Sequence, residues 1–288
     1  MSEQPIAFAV IGGSGLYAMP GLTEIEERYI ETPFGAPSDA IVIGTYAGQR
    51  IAFLPRHGRG HRYSPSEVPY RANIWALKSL GVRHVISVSA CGSLREHLRP
   101  RDIVIPSQVF DFTKGIRKAS FFESGIVGHA SVAEPFSRSL RAALAQAVRD
   151  AGGTVHEGGT LITIEGPRFS TKAESHVFRA WGCDIIGMTA CPEVFLAREA
   201  ELDFAIMAHV TDYDVWREEE EAVTVEMVIQ RLNENLALAQ RAIANLAAVV
   251  PTLPHESDGA MRDAIITARD CITPEARARL NLLIGRYL

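Results

Sequence analysis

The sequence predicts an α/β protein with a mixed central β-sheet flanked by helices. Short β-rich runs alternate along the chain with longer helical patterns, and this alternation is typical of an α/β sandwich. The pair Ala47-Gly48 between two of these runs predicts a hairpin turn, so part of the sheet should be antiparallel. The 288 residues can bury a large core, and we expect a single domain over residues 1–288.

The predicted elements can be placed in chain order. Strands are expected at Ile6 to Ile11, Ala40 to Thr45, Ile51 to Leu54, His84 to Val88, Ile103 to Ile105, Thr160 to Ile164, Ile185 to Met188 and Phe204 to Val210. Helices are expected at Val68 to Leu80, Glu134 to Ala151, Thr171 to Trp181, Pro192 to Ala200 and Val225 to Val250. In a C-terminal tail over residues 251–288, Thr273 and Pro274 open a further helix, Pro274 to Ile284. That helix packs either on its own domain or on a neighbouring subunit.

Composition and charge narrow the class of protein. Hydrophobic residues make up 47% and charged residues 22% of the chain, which are ordinary values for a globular protein. A net charge of −5 gives no general attraction to nucleic acid. No run approaches the ~18 apolar residues of a membrane span, and the N-terminus lacks a signal-sequence pattern. We therefore expect a cytoplasmic protein with four free cysteine thiols that binds neither nucleic acid nor membranes.

A pair of carboxylates ends the last predicted strand. Asp212 and Asp214 follow the apolar run Phe204 to Val210. Alternate side chains on a strand point to the same side, so both acids can face one pocket at the carboxyl end of the sheet, where α/β proteins bind ligands. A purine base, with several nitrogen donors and acceptors, fits such a pair. The alternative is that one Asp caps a helix beginning near Trp216 while the other is solvated.

Three other strand ends offer donors to an anion. Gly12 to Gly15 form a turn in which backbone N–H groups and the Ser14 hydroxyl are a natural nest for a small anion, although a plain tight turn is equally compatible. Arg56 and His57 follow the next strand, and an arginine fork binds phosphate oxygens bidentately. The small residues of Ser87 to Ser93 allow backbone amides to approach a ligand, and Cys91 among them is expected to be a buried structural thiol.

Two different interpretations of these segments are weaker. Gly13 to Ala18 fit the dinucleotide pattern G-x-G-x-x-G/A, but Pro20 and Gly21 interrupt the helix that such a fingerprint must open. His57 and His61 have the spacing of a metal-binding pair, but the intervening glycines favour a loop. We therefore expect phosphate contact and no metal.

Further motifs complete a pattern. They are Thr32 to Gly35, Asn73 to Leu77, Thr163 to Ser170, Gly187 to Thr189 and Thr211 to Trp216. Together with the segments above, they closely resemble the trimeric purine nucleoside phosphorylase family, and they are most similar to its branch that cleaves 5′-methylthioadenosine. The resemblance runs in order from about residue 6 to residue 250, whereas the segment Phe112 to Gly125 and the tail depart from the branch.

The resemblance implies a set of site residues. Phosphate would be bound by Ser14, Arg56, His57, Ser89, Ala90 and Thr189. The nucleoside would be bound by Met188 at the ribose, Phe169 and Ser170 at the purine, Asp212 and Asp214 at N7 and the exocyclic amine, and His129 and Val225 at the 5′ substituent. A homotrimer or a dimer of trimers is implied as well.

The chemistry of these residues agrees with that assignment. Phosphorolysis needs an anion held beneath C1′ and a proton for the leaving base, with no metal or organic cofactor. Asp212 is the expected acid, provided that burial raises its pKa. In 6-oxopurine enzymes of the family, Asn typically takes its place, so two aspartates favour adenine.

We therefore expect an enzyme, a pentosyltransferase of purine and methionine salvage. Its reaction would be phosphate-dependent cleavage of S-methyl-5′-thioadenosine to adenine and 5-methylthioribose 1-phosphate. The runner-up is a broader phosphorylase that accepts adenosine, 5′-methylthioinosine or 6-oxopurine nucleosides. Two further hypotheses are a nucleoside-binding sensor without activity and an NAD-dependent oxidoreductase, and the broken helix after Gly15 weakens the second of them.

Overall fold

A computed structural model describes residues 4–217 and 224–288; nothing is described of the Ser14 side chain. The strands are β1 (Ile6–Gly12), β2 (Thr23–Arg28), β3 (Ile41–Tyr46), β4 (Gln49–Pro55), β5 (His84–Ser93), β6 (Ile103–Ile105), β7 (Gln108–Phe112), β8 (Val155–Glu157), β9 (Thr160–Ile164), β10 (Ile185–Gly187) and β11 (Asp203–Asp212). The α-helices are α1 (Tyr70–Ser79), α2 (Arg138–Asp150), α3 (Lys172–Ala180), α4 (Ala190–Glu199), α5 (Val225–Leu246) and α6 (Pro274–Ile284). Within these described ranges, no helix combines the length and apolarity needed to cross a membrane.

All of these strands belong to one mixed sheet. Its main path runs β2-β3-β4-β1-β5-β10-β9-β7, while β11 pairs with β5 and β6, and β6 pairs with β8. The strands β4, β1, β5 and β11 are parallel to their neighbours in that group, whereas β2, β3 and β4 form antiparallel pairs. Helices flank this sheet, and the predicted fold class is confirmed.

Apolar side chains fill both faces of the sheet, so the central strand β11 is buried along its whole length. Phe204, Ile206, Ala208 and Val210 belong to the core under α1 and α4. Ala205 and Met207 point to the opposite core, which α2 and α5 cover. This alternation follows the two-residue period of a strand. A strand with both faces covered reads as a nearly continuous apolar run, as observed.

The C-terminal tail packs on the same chain. Leu280, Leu283 and Ile284 of α6 are buried in the core under α1 and α4. Thr273 caps the helix by accepting a hydrogen bond from the backbone N–H of Ala276 at 3.1 Å. Of the two placements that the sequence left open for this helix, the fold shows the first.

Sequence patterns located most elements and missed three strands. The hairpin at Ala47-Gly48 joins β3 to β4, and both turn residues have positive φ. The strands β2, β7 and β8 were not predicted, because charged or exposed side chains interrupt their apolar pattern. Helix α2 begins later than predicted because Ser137 caps it.

Candidate active site

The carboxyl ends of β1, β4, β5 and β11 lie at one edge of the sheet because these strands are parallel. Strand β5 runs on past this edge between two neighbours. Its residue Ser89 pairs with Ala208, and its residue Gly92 pairs with Asp212 on one side and Ile186 on the other. The span from Ser89 to Gly92 is roughly 10 Å at the rise of a β-strand. The candidate phosphate residues of β5 and the candidate purine residue Asp212, which pairs with the end of β5, are therefore at a separation that suits a nucleoside.

The glycine-rich turn after β1 contacts the start of the Arg56 loop. The backbone N–H of Arg56 donates to the carbonyl of Gly12 at 3.0 Å. Ser14 begins a short 3₁₀ helix, Ser14–Ala18, so the turn does not open the long α-helix of a dinucleotide fingerprint. The candidate contact through the Ser14 hydroxyl concerns a side chain outside the described part of the structure. A Cβ at Gly13 would meet no atom within 4 Å, so the turn leaves open space there.

The Arg56 side chain is buried, and its fork binds a protein carboxylate. Its Nε donates to Oε1 of Glu193 at 2.8 Å, and its Nη2 donates to Oε2 at 3.0 Å. Burial alone would lower the pKa of Arg56, but Glu193 raises it. Glu193 therefore occupies the Nε–Nη2 edge of the Arg56 fork, and the predicted phosphate contact is left to the rest of the guanidinium. The sequence gives no partner for a buried arginine, and Glu193, more than a hundred residues away, takes the bidentate position.

His57 is neutral near pH 7 and faces a carbonyl. Burial, together with the charge of Arg56, lowers the pKa of His57 to about 4. Its Nδ1 lies 2.8 Å from the carbonyl oxygen of Tyr63, so the neutral ring carries its proton on that nitrogen. The ring stacks on His61 with centroids 4.2 Å apart. Nε2 is thus an acceptor in the neutral state: it can accept a hydrogen bond from the hydroxyl of a protonated phosphate, but it cannot donate to a phosphate oxygen.

Thr189 and Met188 follow β10 and lie beside the phosphate end of β5. A Cβ at Gly187, the preceding residue, would be 3.8 Å from the carbonyl of Ala90. Thr189 is buried at the N-cap position of α4, and its side chain makes no capping hydrogen bond. Ser89 and Ala90 are half-buried. The segment that carries Thr189 therefore lies beside the Ala90 end of β5, and the regular helical backbone of α4 begins only after Cys191.

A β-bulge places Asp212 at the other end of β5. The pairing shifts between Val210 and Asp212, so Thr211 is an extra residue on β11. Both oxygens of the buried Asp212 carboxylate accept hydrogen bonds, from the Thr211 hydroxyl at 2.7 Å and from the backbone N–H of Asp214 at 2.8 Å. Asp214 lies beyond the strand in a turn and has a φ of 50°. The prediction that strand alternation turns Asp212 and Asp214 to the same side is therefore wrong. The bulge and an Asx turn place the two acids together.

The Asp214 carboxyl group is the less well satisfied of the two. Burial raises its pKa, although the hydroxyls of Ser175 and Ser170 lie near enough to oppose that rise. These hydroxyls do not reach hydrogen-bond geometry: Oδ2 of Asp214 and both Oγ atoms are buried without a partner in the described structure. Phe169, next to Ser170, is half-buried. The cluster therefore leaves three buried polar atoms with unused hydrogen-bonding capacity in this part of the described structure.

Cys91 lies beneath the carboxylate pair. It is buried, and burial followed by the charge of Asp212 raises its pKa well above that of an ordinary thiol. The thiol form is inert as a nucleophile. The prediction of a structural thiol therefore agrees with its surroundings.

Arg117 is a structural residue that sequence reasoning missed. Its buried guanidinium donates to the carbonyls of Met188 at 2.7 Å, Cys191 at 2.6 Å and Glu165 at 2.6 Å. These bonds hold the segments after β9 and β10 together. Nothing in the sequence distinguishes Arg117 from a surface arginine. Glu193 had a usable signal, because it is a lone acid within the apolar stretch Pro192 to Ala197.

His129 and Val225 lie on the surface of the isolated chain. His129 is exposed, and its backbone N–H donates to the carbonyl of Ala264 in the tail. Val225, the first residue of α5, is 62% exposed. Across residues 4–217 and 224–288, no hydrogen bond or ring contact joins either residue to the Asp212 end of the site. Their predicted role at the 5′ substituent therefore stays a prediction.

Comparison with known proteins identifies the family. The sequence profile of the phosphorylase superfamily matches residues 7–251. The chain belongs to the phosphorylase superfamily. The matched region contains every candidate site residue named above.

Relatives and solved structures of this superfamily match almost the whole chain. S-methyl-5′-thioadenosine phosphorylase of Chloroflexus aurantiacus is 54% identical over 279 residues, which cover 96% of this chain and 97% of that protein. The protein of the same name from Geobacter sulfurreducens is 49% identical and covers 97% and 98%. The crystal structure of a methylthioadenosine phosphorylase from an Antarctic soil metagenomic library superposes with a TM-score of 0.93 at 46% identity, covering 98% of this chain and 99% of that one.

Proposed function

We propose that the chain catalyses the phosphorolysis of S-methyl-5′-thioadenosine to adenine and 5-methylthioribose 1-phosphate. The observation that carries this proposal is the arrangement along β5, with anion donors near Ser89 and, at Gly92, the buried carboxylate of Asp212 beside the half-buried Asp214. Relatives that carry this activity in their name cover almost the whole chain. The products, a free base and a sugar phosphate, are typical of purine and methionine salvage.

At the phosphate end, the proposed ligands are Ser14, Arg56, His57, Ser89, Ala90 and Thr189. Arg56 would donate through Nη1, and the Thr189 hydroxyl, which makes no capping hydrogen bond, would be a second donor. A dianion beside His57 would favour proton uptake at Nε2, which would turn that acceptor into a donor. The bound phosphate would attack C1′ while Met188 packs against the ribose. The proposed reaction uses inorganic phosphate as a co-substrate and needs no metal or organic cofactor.

At the base end, Phe169 would pack on the purine and Ser170 would meet its edge. Asp212 would transfer a proton to N7 as the bond between N9 and C1′ breaks, so that adenine leaves as the neutral base. Asp214 would accept a hydrogen bond from the 6-amino group. The bonding electrons go to the base, and phosphate supplies the new bond at C1′, so charge and atoms balance.

The 5′ pocket in this proposal requires more than one copy of the chain. His129 and Val225 are its proposed lining, and both are exposed in the single chain. We propose a homotrimer, alone or paired as a dimer of trimers, in which these surfaces are covered. A cytoplasmic location is part of the same proposal.

A broader activity on adenosine is the second candidate. A structural relative, described as adenosine/methylthioadenosine phosphorylase from Schistosoma mansoni, superposes with a TM-score of 0.86 at 37% identity and covers 91% of this chain. The paired aspartates recognise adenine whichever group is at the 5′ position, so they do not separate the two substrates.

The test is a panel of nucleosides assayed with and without phosphate. We expect adenine release from S-methyl-5′-thioadenosine only with phosphate, together with an equal amount of sugar phosphate. Faster turnover of adenosine would establish the broader activity. Adenine release at the same rate without phosphate would indicate a hydrolase and overturn the roles given to the anion donors.

A further inference from the structure

The guanidinium of Arg56 is held almost completely by the protein. Besides the two hydrogen bonds to Glu193, its Nη2 donates to the Ser87 hydroxyl at 2.5 Å and approaches the carbonyl of Ile11 at 3.4 Å. Its Nη1 donates to the carbonyl of Val88 at 3.1 Å. An arginine has five N–H donors. In the described part of the chain, one N–H on Nη1 is therefore left without a protein acceptor, on the nitrogen that contacts Val88, the residue before Ser89.

Glu193 is the residue that fixes this arrangement. It is 1% exposed, and its Oε2 also accepts a hydrogen bond from the Ser87 hydroxyl at 2.9 Å. Glu193 lies in α4 beyond Cys191, whose backbone is not helical, and Thr189 lies before that residue at the start of the same element. Through Glu193, three segments that carry candidate phosphate ligands are joined: the loop after β4, strand β5 and the start of α4.

Stability alone is a poor reason for such a pair. Replacing a buried ion pair with apolar residues of similar size is often neutral or stabilising, because both charges lose their hydration. A carboxylate directly beneath an anion site also opposes anion binding through its charge. The arrangement makes physical sense if orientation of the guanidinium matters more than its charge.

We propose that Glu193 is a positioning residue of the phosphate site. Its carboxylate clamps Nε and Nη2, so that only the Nη1 edge of Arg56 is presented to phosphate beneath C1′. This inference rests on the proposed function and deepens it. Because Glu193 balances the charge of Arg56, a neutral residue at position 193 leaves an unbalanced cation that can rotate. Phosphate then binds as well or better, but in a poorer position for attack.

The test compares Glu193→Gln with Glu199→Gln, a matched loss of a buried carboxylate from the same helix outside the site. Phosphate affinity is measured without nucleoside, from the phosphate dependence of the thermal unfolding midpoint. Turnover is measured per folded protein with S-methyl-5′-thioadenosine. For Glu193→Gln we expect kcat to fall roughly 10- to 100-fold, the scale of a misplaced reactant, with a phosphate Kd equal to or below that of the wild type. For Glu199→Gln we expect kcat within about twofold of the wild type, because a surrounding residue outside the site contributes little to positioning.

Three outcomes overturn the inference. The first is a kcat for Glu193→Gln within twofold of the wild type. The second is an equal loss of kcat in Glu193→Gln and Glu199→Gln. The third is a phosphate affinity of Glu193→Gln that weakens in parallel with its kcat. If Glu193→Gln does not fold, the variant Ser87→Ala tests the inference instead. Loss of the hydroxyl that contacts both Arg56 and Glu193 should lower kcat without weakening phosphate binding. An unchanged kcat overturns the inference. If the wild type neither binds phosphate nor depends on it, the proposed function fails instead. A phosphate-dependent wild type with an unaffected Glu193→Gln variant refutes this inference alone.

Discussion

Replacing Asp212 with Asn tests the proposed proton donor at nearly constant shape. The side chain is 6% exposed, and its oxygens accept from the backbone N–H of Asp214 and the hydroxyl of Thr211. An amide keeps the first bond through its oxygen. Its NH₂ group can donate to the Thr211 oxygen, while that hydroxyl turns to the Cys91 carbonyl, 3.3 Å away. The folding cost should therefore be about 1 kcal/mol, the value of one hydrogen bond.

The cost to catalysis should be much larger than the cost to folding. General acid catalysis contributes roughly 10²- to 10⁴-fold, which corresponds to about 3 to 5 kcal/mol of barrier. Asp214→Asn is the matched control, because its amide oxygen still accepts a hydrogen bond from a 6-amino group. We expect its catalytic rate to fall about tenfold, which corresponds to the charge-assisted part of one hydrogen bond. With inosine, Asp212→Asn should hold or gain activity, since an amide can donate to both N7 and O6.

The assay is steady-state kinetics of the wild type and both variants on S-methyl-5′-thioadenosine and inosine, with thermal unfolding as the measure of folding. A loss below tenfold for Asp212→Asn would refute the assignment of the acid. A larger loss for Asp214→Asn would move that role to Asp214, whose pKa burial raises. Equal losses on both nucleosides would contradict the argument for adenine specificity.

The remaining predictions concern packing, organisation and pH. A Cβ at Gly92 would lie 2.9 Å from Oδ1 of Asp212, so Gly92→Ala should lower kcat/KM at least tenfold in steady-state assays, whereas Gly187→Ala, whose Cβ meets nothing closer than 3.8 Å, should be nearly neutral. Arg117→Met should destabilise the fold by about 3 kcal/mol in urea titrations, because several buried carbonyls lose their donor; a loss below 1 kcal/mol would contradict the structural role. Burial raises the pKa of Glu199 from 4.5 to about 7. The protonated group therefore stabilises the fold fully below pH 4.5, and this stabilisation disappears as the pH rises to 7. Relative to Glu199→Gln, the free energy of unfolding of the wild type should fall by about 3 kcal/mol between pH 4.5 and pH 8. Burial lowers the pKa of His209 from 6.5 to about 4, so this residue destabilises the fold as the pH falls from 6.5 to 4. The variant His209→Met should therefore lose less stability over that range than the wild type. An unchanged pH profile of stability would contradict this prediction.

The sequence was most informative where local rules act alone. Apolar periodicity placed α6 from Pro274 to Ile284, and a cap and a proline set its start, because both signals lie within a few residues. Hairpin β3-β4 followed from one turn dipeptide for the same reason. The strands β2 and β7 were not predicted, because their charged or exposed side chains remove the alternation of apolar and polar residues.

Long-range partners limited what the sequence could say about the site. The residues of the strand ends were found, since parallel strands bring their carboxyl ends to one edge. The partner of the Arg56 fork was not, because Glu193 lies at a sequence distance of 137 residues. The bulge at Thr211 also depends on pairing with β5, which no local pattern encodes. Residue types at the site were therefore predictable, while their orientations required the fold.

The central claim is that phosphate and an aminopurine bind at the two ends of β5, and a crystal structure of the protein with adenine and phosphate tests it most directly. We expect N7 and the 6-amino group of adenine within hydrogen-bond distance of Asp212 and Asp214, and phosphate within such distance of Nη1 of Arg56 and the Thr189 hydroxyl. Adenine bound away from both carboxylates, or phosphate bound away from Arg56, would contradict the claim.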